Sequence, residues 1–237
     1  MTRRRAVLAV PGDLATPTGG YGYDRRLLET LRGLGHDVAH LELGASFPDP
    51  TIEDASAAAS RLAAIPADRP VLVDGLAFGV LDHGLLAALR APLIALVHHP
   101  LAAETGLTAE RRATLARSER ANLALAAHVI VTSPHTAALL TADYDVAPER
   151  ITVARPGSDR PTARGVPADP PLVLAVGIQV PRKGHDVLLH ALARIRDRRW
   201  QTVIAGAPLD ARHARRLEAL VAELDVGDRV RLAGHVP

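Results

Sequence analysis

Short apolar runs alternate with helix-spaced apolar positions along nearly the whole chain. Residues 6–10, 37–43, 71–73, 93–97, 128–131 and 151–154 read as strands, several of them apolar without a break. Such runs are what a parallel sheet covered on both faces requires. Between them lie helical patterns. Leu27, Leu28, Leu31 and Leu34 form one, stopped by Gly35; residues 53–65 form an Ala-rich one ended by Pro66; residues 81–89 and 107–125 form two more. Ser133 and Pro134 start another, with Ser as N-cap and Pro at the first helical position. The alternation predicts an α/β fold of βαβ units in a doubly wound parallel sheet. Ligands in such a sheet bind at the carboxyl ends of the strands, here the stretches 11–23, 74–78, 98–105 and 132–135.

The alternation breaks at residues 155–171, which hold five prolines and no apolar period. It resumes as strand 172–176, helix 186–196, strand 202–205, helix 210–224 and strand 229–232. The expected organisation is therefore a domain over 1–160, a linker over 161–171 and a second domain over 172–237. That last piece is shorter than the ~100–150 residues of a common domain, so an incomplete second domain is expected.

Composition narrows the function classes. Hydrophobic residues make up 48% and charged residues 23%, as in an ordinary globular protein with a core, and the net charge is only +2. With 3% aromatics and no basic stretch interleaved with them, nucleic acid is not an expected partner. The absence of cysteine removes disulfides, thiolate metal sites and a thiol nucleophile. The opening MTRRRAVLAVPG has an apolar run too short for a secretion signal, and no run approaches membrane-spanning length. A cytoplasmic setting is expected; peripheral contact with a membrane face is left open.

Against this background one stretch stands out, 172–189. An apolar strand, predicted to be buried, leads to Gly177, read as a turn. A loop with Pro181, Arg182, Lys183 and Gly184 follows, then a helix. Strand, cationic loop and helix start together make a phosphate site: backbone N–H groups and the positive helix end face an anion. Lys183 is the sole lysine, the other 27 basic residues being arginine. In a chain that uses arginine for general surface charge, that lysine points to a specific role. The loop Thr18-Gly19-Gly20-Tyr21-Gly22 offers positive φ and close backbone approach before a helix, although the spacing of a dinucleotide fingerprint is absent. His98 and His99 end a strand, where an imidazole can bond a hydroxyl or phosphate or move a proton near neutral pH. A third ligand at helical spacing is missing, so no metal site is expected there. Asp74 reads first as a turn-forming residue and second as an acceptor for ligand hydroxyls. Arg111, Arg112, Arg215 and Arg216 read as solvated helix faces.

Four pieces, GGYGYDRRLLETLRGLGHDV, AHVIVTSPHTAALL, ITVARPGSD and VGIQVPRKGHDVLLHAL, occur in the order found in one family. The chain resembles the GT-B-fold retaining glycosyltransferases of the family 4 ("group 1") type, apparently truncated in its C-terminal domain. The resemblance implies two Rossmann-like domains, the first for the acceptor and the second for a nucleotide sugar. It implies transfer of a hexose from a nucleotide-diphosphate sugar to an acceptor hydroxyl on a small molecule, glycan or lipid, without a cofactor or metal. Carried over by position, Lys183 contacts the donor diphosphate with Arg182 beside it, Gly19 and Gly20 approach the phosphate or sugar, and His98 or His99 lies near the reacting centre. Two departures stand against the pattern. Ile178 occupies a position where many relatives carry arginine. The family's paired glutamates have no counterpart, since Glu218 and Glu223 lack that spacing. Two other readings remain: a non-catalytic truncated or split chain that needs a complementing chain or dimer partner, and an epimerase-like protein acting on sugar nucleotides.

Overall fold

The computed structural model describes residues 3–160 and 165–236. The polypeptide divides into two compact units, Met1–Ser158 and Asp159–Pro237. Residues 161–164 of the expected linker lie outside the described residues.

Unit 1 is built on six parallel strands: β1 (Arg5–Pro11), β2 (Asp37–Leu43), β3 (Val71–Asp74), β4 (Leu93–Val97), β5 (His128–Val131) and β6 (Ile151–Val153). Their order is β2-β1-β3-β4-β5-β6. The connecting helices are α1 (Gly19–Gly33), α2 (Ile52–Ala63), α3 (Gly75–Phe78), α4 (His83–Ala88), α5 (Ala109–Leu125) and α6 (Pro134–Asp143). Helices cover both faces. Alternate residues of β1 serve opposite cores: Leu8 and Val10 pack with Leu28 of α1, Leu72 and Leu96, while Val7 and Ala9 join Leu62 of α2, Leu123 of α5 and Leu140 of α6. This two-sided burial is why the strands read as unbroken apolar runs. The strand order reverses direction between β1 and β3, and a doubly wound sheet opens its ligand crevice at that point.

Two segments expected as loops are helical. Helix α1 begins at Gly19, because Thr18 caps it by accepting from the Tyr21 amide. Neither Gly19 nor Gly20 adopts positive φ, so the turn role expected of them is replaced by a place in the first helical turn. Likewise residues 75–78 form α3, capped by Asp74. Ser133 caps α6 with Pro134 at its first position, as expected.

Behind the β4 terminus, buried Glu119 of α5 accepts from the amides of Leu101 at 2.7 Å and Ala102 at 3.1 Å, with the Tyr144 hydroxyl at 3.4 Å. The carboxylate thereby fixes the short turn (Leu101–Ala103) that follows the two histidines. Glu119→Ala strands two buried amides, and the expected loss is about 3 kcal/mol in urea denaturation.

Unit 2 carries three parallel strands in the order β7 (Leu172–Val176), β8 (Gln201–Ala205), β9 (Val230–Gly234), joined by α7 (His185–Ala193) and α8 (Ala211–Glu223). Both helices pack on one face, where Leu189 and Leu217 meet Ile204 and Ala175. This corrects the expectation of a buried β7. Val173 and Ala175 face the helices, but Leu172, Leu174 and Val176 are exposed, Val176 at 76%, because among the described residues helices pack on one side of this sheet only. No helix among the described residues is long and apolar enough to cross a membrane.

Candidate functional site

In unit 1 the carboxyl ends of β3 and β4, together with α1, converge on one imidazole. His98 follows β4 directly. Its Nε2 lies 2.9 Å from Oδ1 of Asp24, on α1, and 3.4 Å from Oδ2 of Asp74, at the end of β3. Both carboxylates are buried. Asp74 performs two tasks: Oδ1 accepts from the Leu76 amide to cap α3, as the turn reading expects, while Oδ2 faces the imidazole. The ring is held from other sides too. Tyr23 meets it edge-on, with centroids 5.2 Å apart and planes at 81°, and the Tyr23 hydroxyl donates to the Ala154 carbonyl at 2.9 Å. Thr132 donates to the His98 carbonyl. Gly20 lies beside the imidazole, and a Cβ there would meet Cδ2 at 3.6 Å, an ordinary contact. Gly19 has open space around it. His99 is exposed and takes no part in the cluster.

The ligand atoms of Asp24, Asp74 and His98 lie within 4.8 Å of one another, close enough to surround a small cation. Two carboxyl groups facing one nitrogen require Nε2 to donate. Burial alone would lower the His98 pKa; the hydrogen bonds to Asp24 and Asp74 and their charges outweigh it and raise the value to about 9. Burial also pushes Asp24 up, against the hydrogen bond from His98. At neutral pH His98 is therefore protonated, with two buried carboxyl groups beside its Nε2. A pKa of about 9 suits the expected hydrogen-bonding role better than the expected proton shuttle near pH 7. The sign for stability follows. A histidine whose pKa rises from ~6.5 unfolded to about 9 folded stabilises fully below pH 6.5, and that contribution fades as pH climbs through 9. Unit 1 is expected to lose about 3 kcal/mol between pH 6.5 and 9.5, read by circular dichroism in urea, and His98→Asn should flatten the slope.

Asp24 was not among the sequence candidates. Its signal is its spacing: it precedes Leu28 by four and Leu31 by seven, placing an acid on the apolar stripe of α1. Glu119, midway between Leu115 and Leu123, shows the same sign.

In unit 2, Pro181–Lys183 form a short 3₁₀ turn, and Gly184 at φ 63° leads into α7. Helix α7 has no side-chain cap, whereas α1 to α6 and α8 each have one. Its first amides are thus left for another acceptor. Lys183 lies across Gly177: a Cβ on that glycine would come within 3.2 Å of the lysine Cδ. The chain bends at Gly177 without a positive φ, and the glycine also leaves room for the Lys183 stem. Lys183 makes no salt bridge among the described residues. Arg182 is exposed on the same turn. Burial lowers the pKa of His185, helped by His213 and Lys183. A cavity of about 550 Å³ adjoins this turn, lined by Pro181, Asp186, Asp210, Arg212, His213 and Arg216. Arg216 borders this cavity and is also exposed to solvent, as a solvated helix face requires. Arg111 pairs with Asp49 and Arg112 donates to the Ala102 carbonyl, so these two also do more than cover a helix. Ile178 is half-buried, and Glu218 and Glu223 are exposed on α8.

Two family models match the chain in succession: "Glycosyltransferase Family 4" over residues 55–160 and "Glycosyl transferases group 1" over residues 159–237. A D-inositol 3-phosphate glycosyltransferase from Acidothermus cellulolyticus is 34% identical over 137 residues, covering 49% of this chain and 31% of that protein. The chain thus matches less than a third of that relative's length. Among solved structures, Anabaena Alr3699/HepE in complex with UDP-glucose superposes with a TM-score of 0.69 at 14% identity, over 98% of this chain and 70% of the other. A glycosyltransferase from Rickettsia africae gives 0.65 at 16% identity, over 99% and 69%. These two likenesses establish the shared fold.

Proposed function

Since the chain belongs to the group 1 glycosyltransferases, we propose that it serves transfer of a hexose from a nucleotide-diphosphate sugar to an acceptor hydroxyl. The observation that carries this reading is the uncapped start of α7 beside Lys183. The helix end offers amides and a partial positive charge, Lys183 offers an unpaired ammonium seated on Gly177, and Arg182 lies on the same turn. In this proposal unit 2 takes the diphosphate. Its cations offset the charge that grows as the diphosphate leaves, so no metal or other cofactor is called for. Unit 1 takes the acceptor, with His98 donating to a substrate oxygen. Gly19 and Gly20 leave open backbone near it, and His99 has a lesser part. The acceptor is a small molecule, glycan or lipid, and the proposed setting is cytoplasmic.

The test is product analysis with radiolabelled nucleotide sugars, beginning with UDP-glucose, the ligand of the Anabaena structure. Label carried onto an acceptor, with one nucleoside diphosphate released per sugar transferred, is the expected result. A donor that is only isomerised, or that remains intact with every acceptor class, overturns the proposal.

A further inference from the structure

The least economical feature of unit 1 is Asp24. It occupies a core position on α1, its side chain is 1% exposed, and its Oδ2 is buried with no hydrogen-bond partner among the described residues. An orphaned carboxylate oxygen in a core is costly, and a leucine or asparagine would serve α1 better. What Asp24 does obtain is the shortest contact to His98, 2.9 Å against 3.4 Å for Asp74. Asp74 has divided duties, since it also caps α3. Beyond His98, Asp24 meets the carboxyl group of Asp74, itself turned to the same imidazole, so its evident task is to hold that ring.

We propose that Asp24 is a positioning residue for the transfer reaction: together with Asp74 it holds the His98 ring by Nε2–H, leaving Nδ1 to present an N–H to a substrate oxygen. The proposal rests on the glycosyltransferase reading of this same site. The surroundings support a fixed ring. Tyr23 braces one edge through its anchored hydroxyl, and Gly20 adds no side chain that would push the ring away. The groups facing the imidazole are Asp24 and Tyr23 from α1 and Asp74 from the end of β3; Tyr21 lies near the two carboxyl groups, and the uncharged Thr132 bonds the His98 backbone carbonyl. Both tyrosines are held above their ordinary pKa, first by burial, and so stay neutral where the histidine titrates. The two carboxylates are thus the only charges among these groups that can hold the imidazolium. Held so, Nδ1 donates and does not accept. His98 then serves as a hydrogen-bond donor to a sugar or acceptor oxygen, and a general-base role is closed to it near neutral pH.

The experiment pairs ¹⁵N-histidine NMR titration with pH profiles of sugar transfer, in the wild type and in Asp24→Asn. Wild-type His98 should titrate near pH 9, with Nε2 protonated throughout. Asp24→Asn should lower that value by about one unit or more. It should also reduce kcat by about 10- to 100-fold at pH 8 with KM little changed, the loss shrinking as pH falls and His98 is protonated again. Asp24→Glu should restore part of the rate. A wild-type His98 titrating at or below pH 6.5 overturns the proposal without any variant, which covers an Asp24→Asn protein that does not fold. So does a variant loss of rate that is independent of pH. The titration needs no turnover, so its failure is distinct from failure of the glycosyltransferase reading, which absence of transfer by the wild type would show.

Discussion

Lys183→Ala is expected to reduce transfer by about 10²–10³-fold in kcat/KM, with the protein still folded. Three features place the effect on charge rather than structure. Lys183 is exposed on a short turn, its ammonium makes no salt bridge among the described residues, and its stem only rests on Gly177. Removing it takes away no core contact. What is lost is a cation beside a helix start that lacks a cap, where a departing diphosphate would gather its charge. Lys183→Arg should fail to restore the rate, because a planar guanidinium needs a different seat from a compact ammonium. Gly177→Ala is the graded control. Its Cβ would press on the lysine stem at 3.2 Å, so the ammonium shifts by tenths of an ångström and a smaller loss follows. Trp200, the only tryptophan and a buried residue of unit 2, reports by its fluorescence whether the unit stays folded. Near-normal turnover in a folded Lys183→Ala protein would remove the residue from the site.

Much of this architecture was legible in the chain because the governing signals are local. The strands 37–43, 93–97, 128–131 and 172–176 coincide with β2, β4, β5 and β7, since their apolar runs are bounded by turn residues or by charge. The cap at Ser133 follows from side-chain chemistry three residues deep. Legibility fails where the local signal is ambiguous or the deciding partner is remote in sequence. Thr18 draws Gly19 and Gly20 into a helix, and glycines in a helix look like glycines in a loop. Leu174 and Leu172 are as apolar as the residues of β1, yet they are exposed, because exposure depends on which strands and helices neighbour β7. Of the residues proposed to act, His98 is readable from its place after a strand and Lys183 from its place in the turn before a helix. Asp24 was missed because its value depends on a histidine 74 positions away. The trace it leaves is an acid on an apolar stripe, the same trace Glu119 leaves on α5.

Gly206→Ala is expected to destabilise unit 2 by at least about 3 kcal/mol, through backbone overlap rather than conformational preference. A Cβ on Gly206 would lie 1.8 Å from the Gly177 carbonyl oxygen, 2.3 Å from its carbon and 2.8 Å from the Ile178 nitrogen. These are main-chain atoms, and no rotamer change relieves them. Nor can the two strand ends part easily. The Gly177 amide donates to the Ala205 carbonyl at 2.8 Å, the Gln179 amide to Ala207 at 2.9 Å and the Gly206 amide to Gly234 at 2.6 Å. The buried Gln179 side chain donates to the Gly206 carbonyl as well. Moving Gly206 away breaks these bonds together, and it displaces Gly177, on which Lys183 rests. The substitution should therefore lower the urea midpoint followed by Trp200 fluorescence and weaken donor binding in whatever fraction stays folded. Gly19→Ala is the comparison, because nothing lies within 4 Å of that Cβ and the position is helical. It should leave the protein as stable as the wild type or slightly more so. A Gly206→Ala midpoint equal to that of the wild type would mean that the loops after β7 and β8 lie farther apart in solution, and the seat of Lys183 would then need a different account.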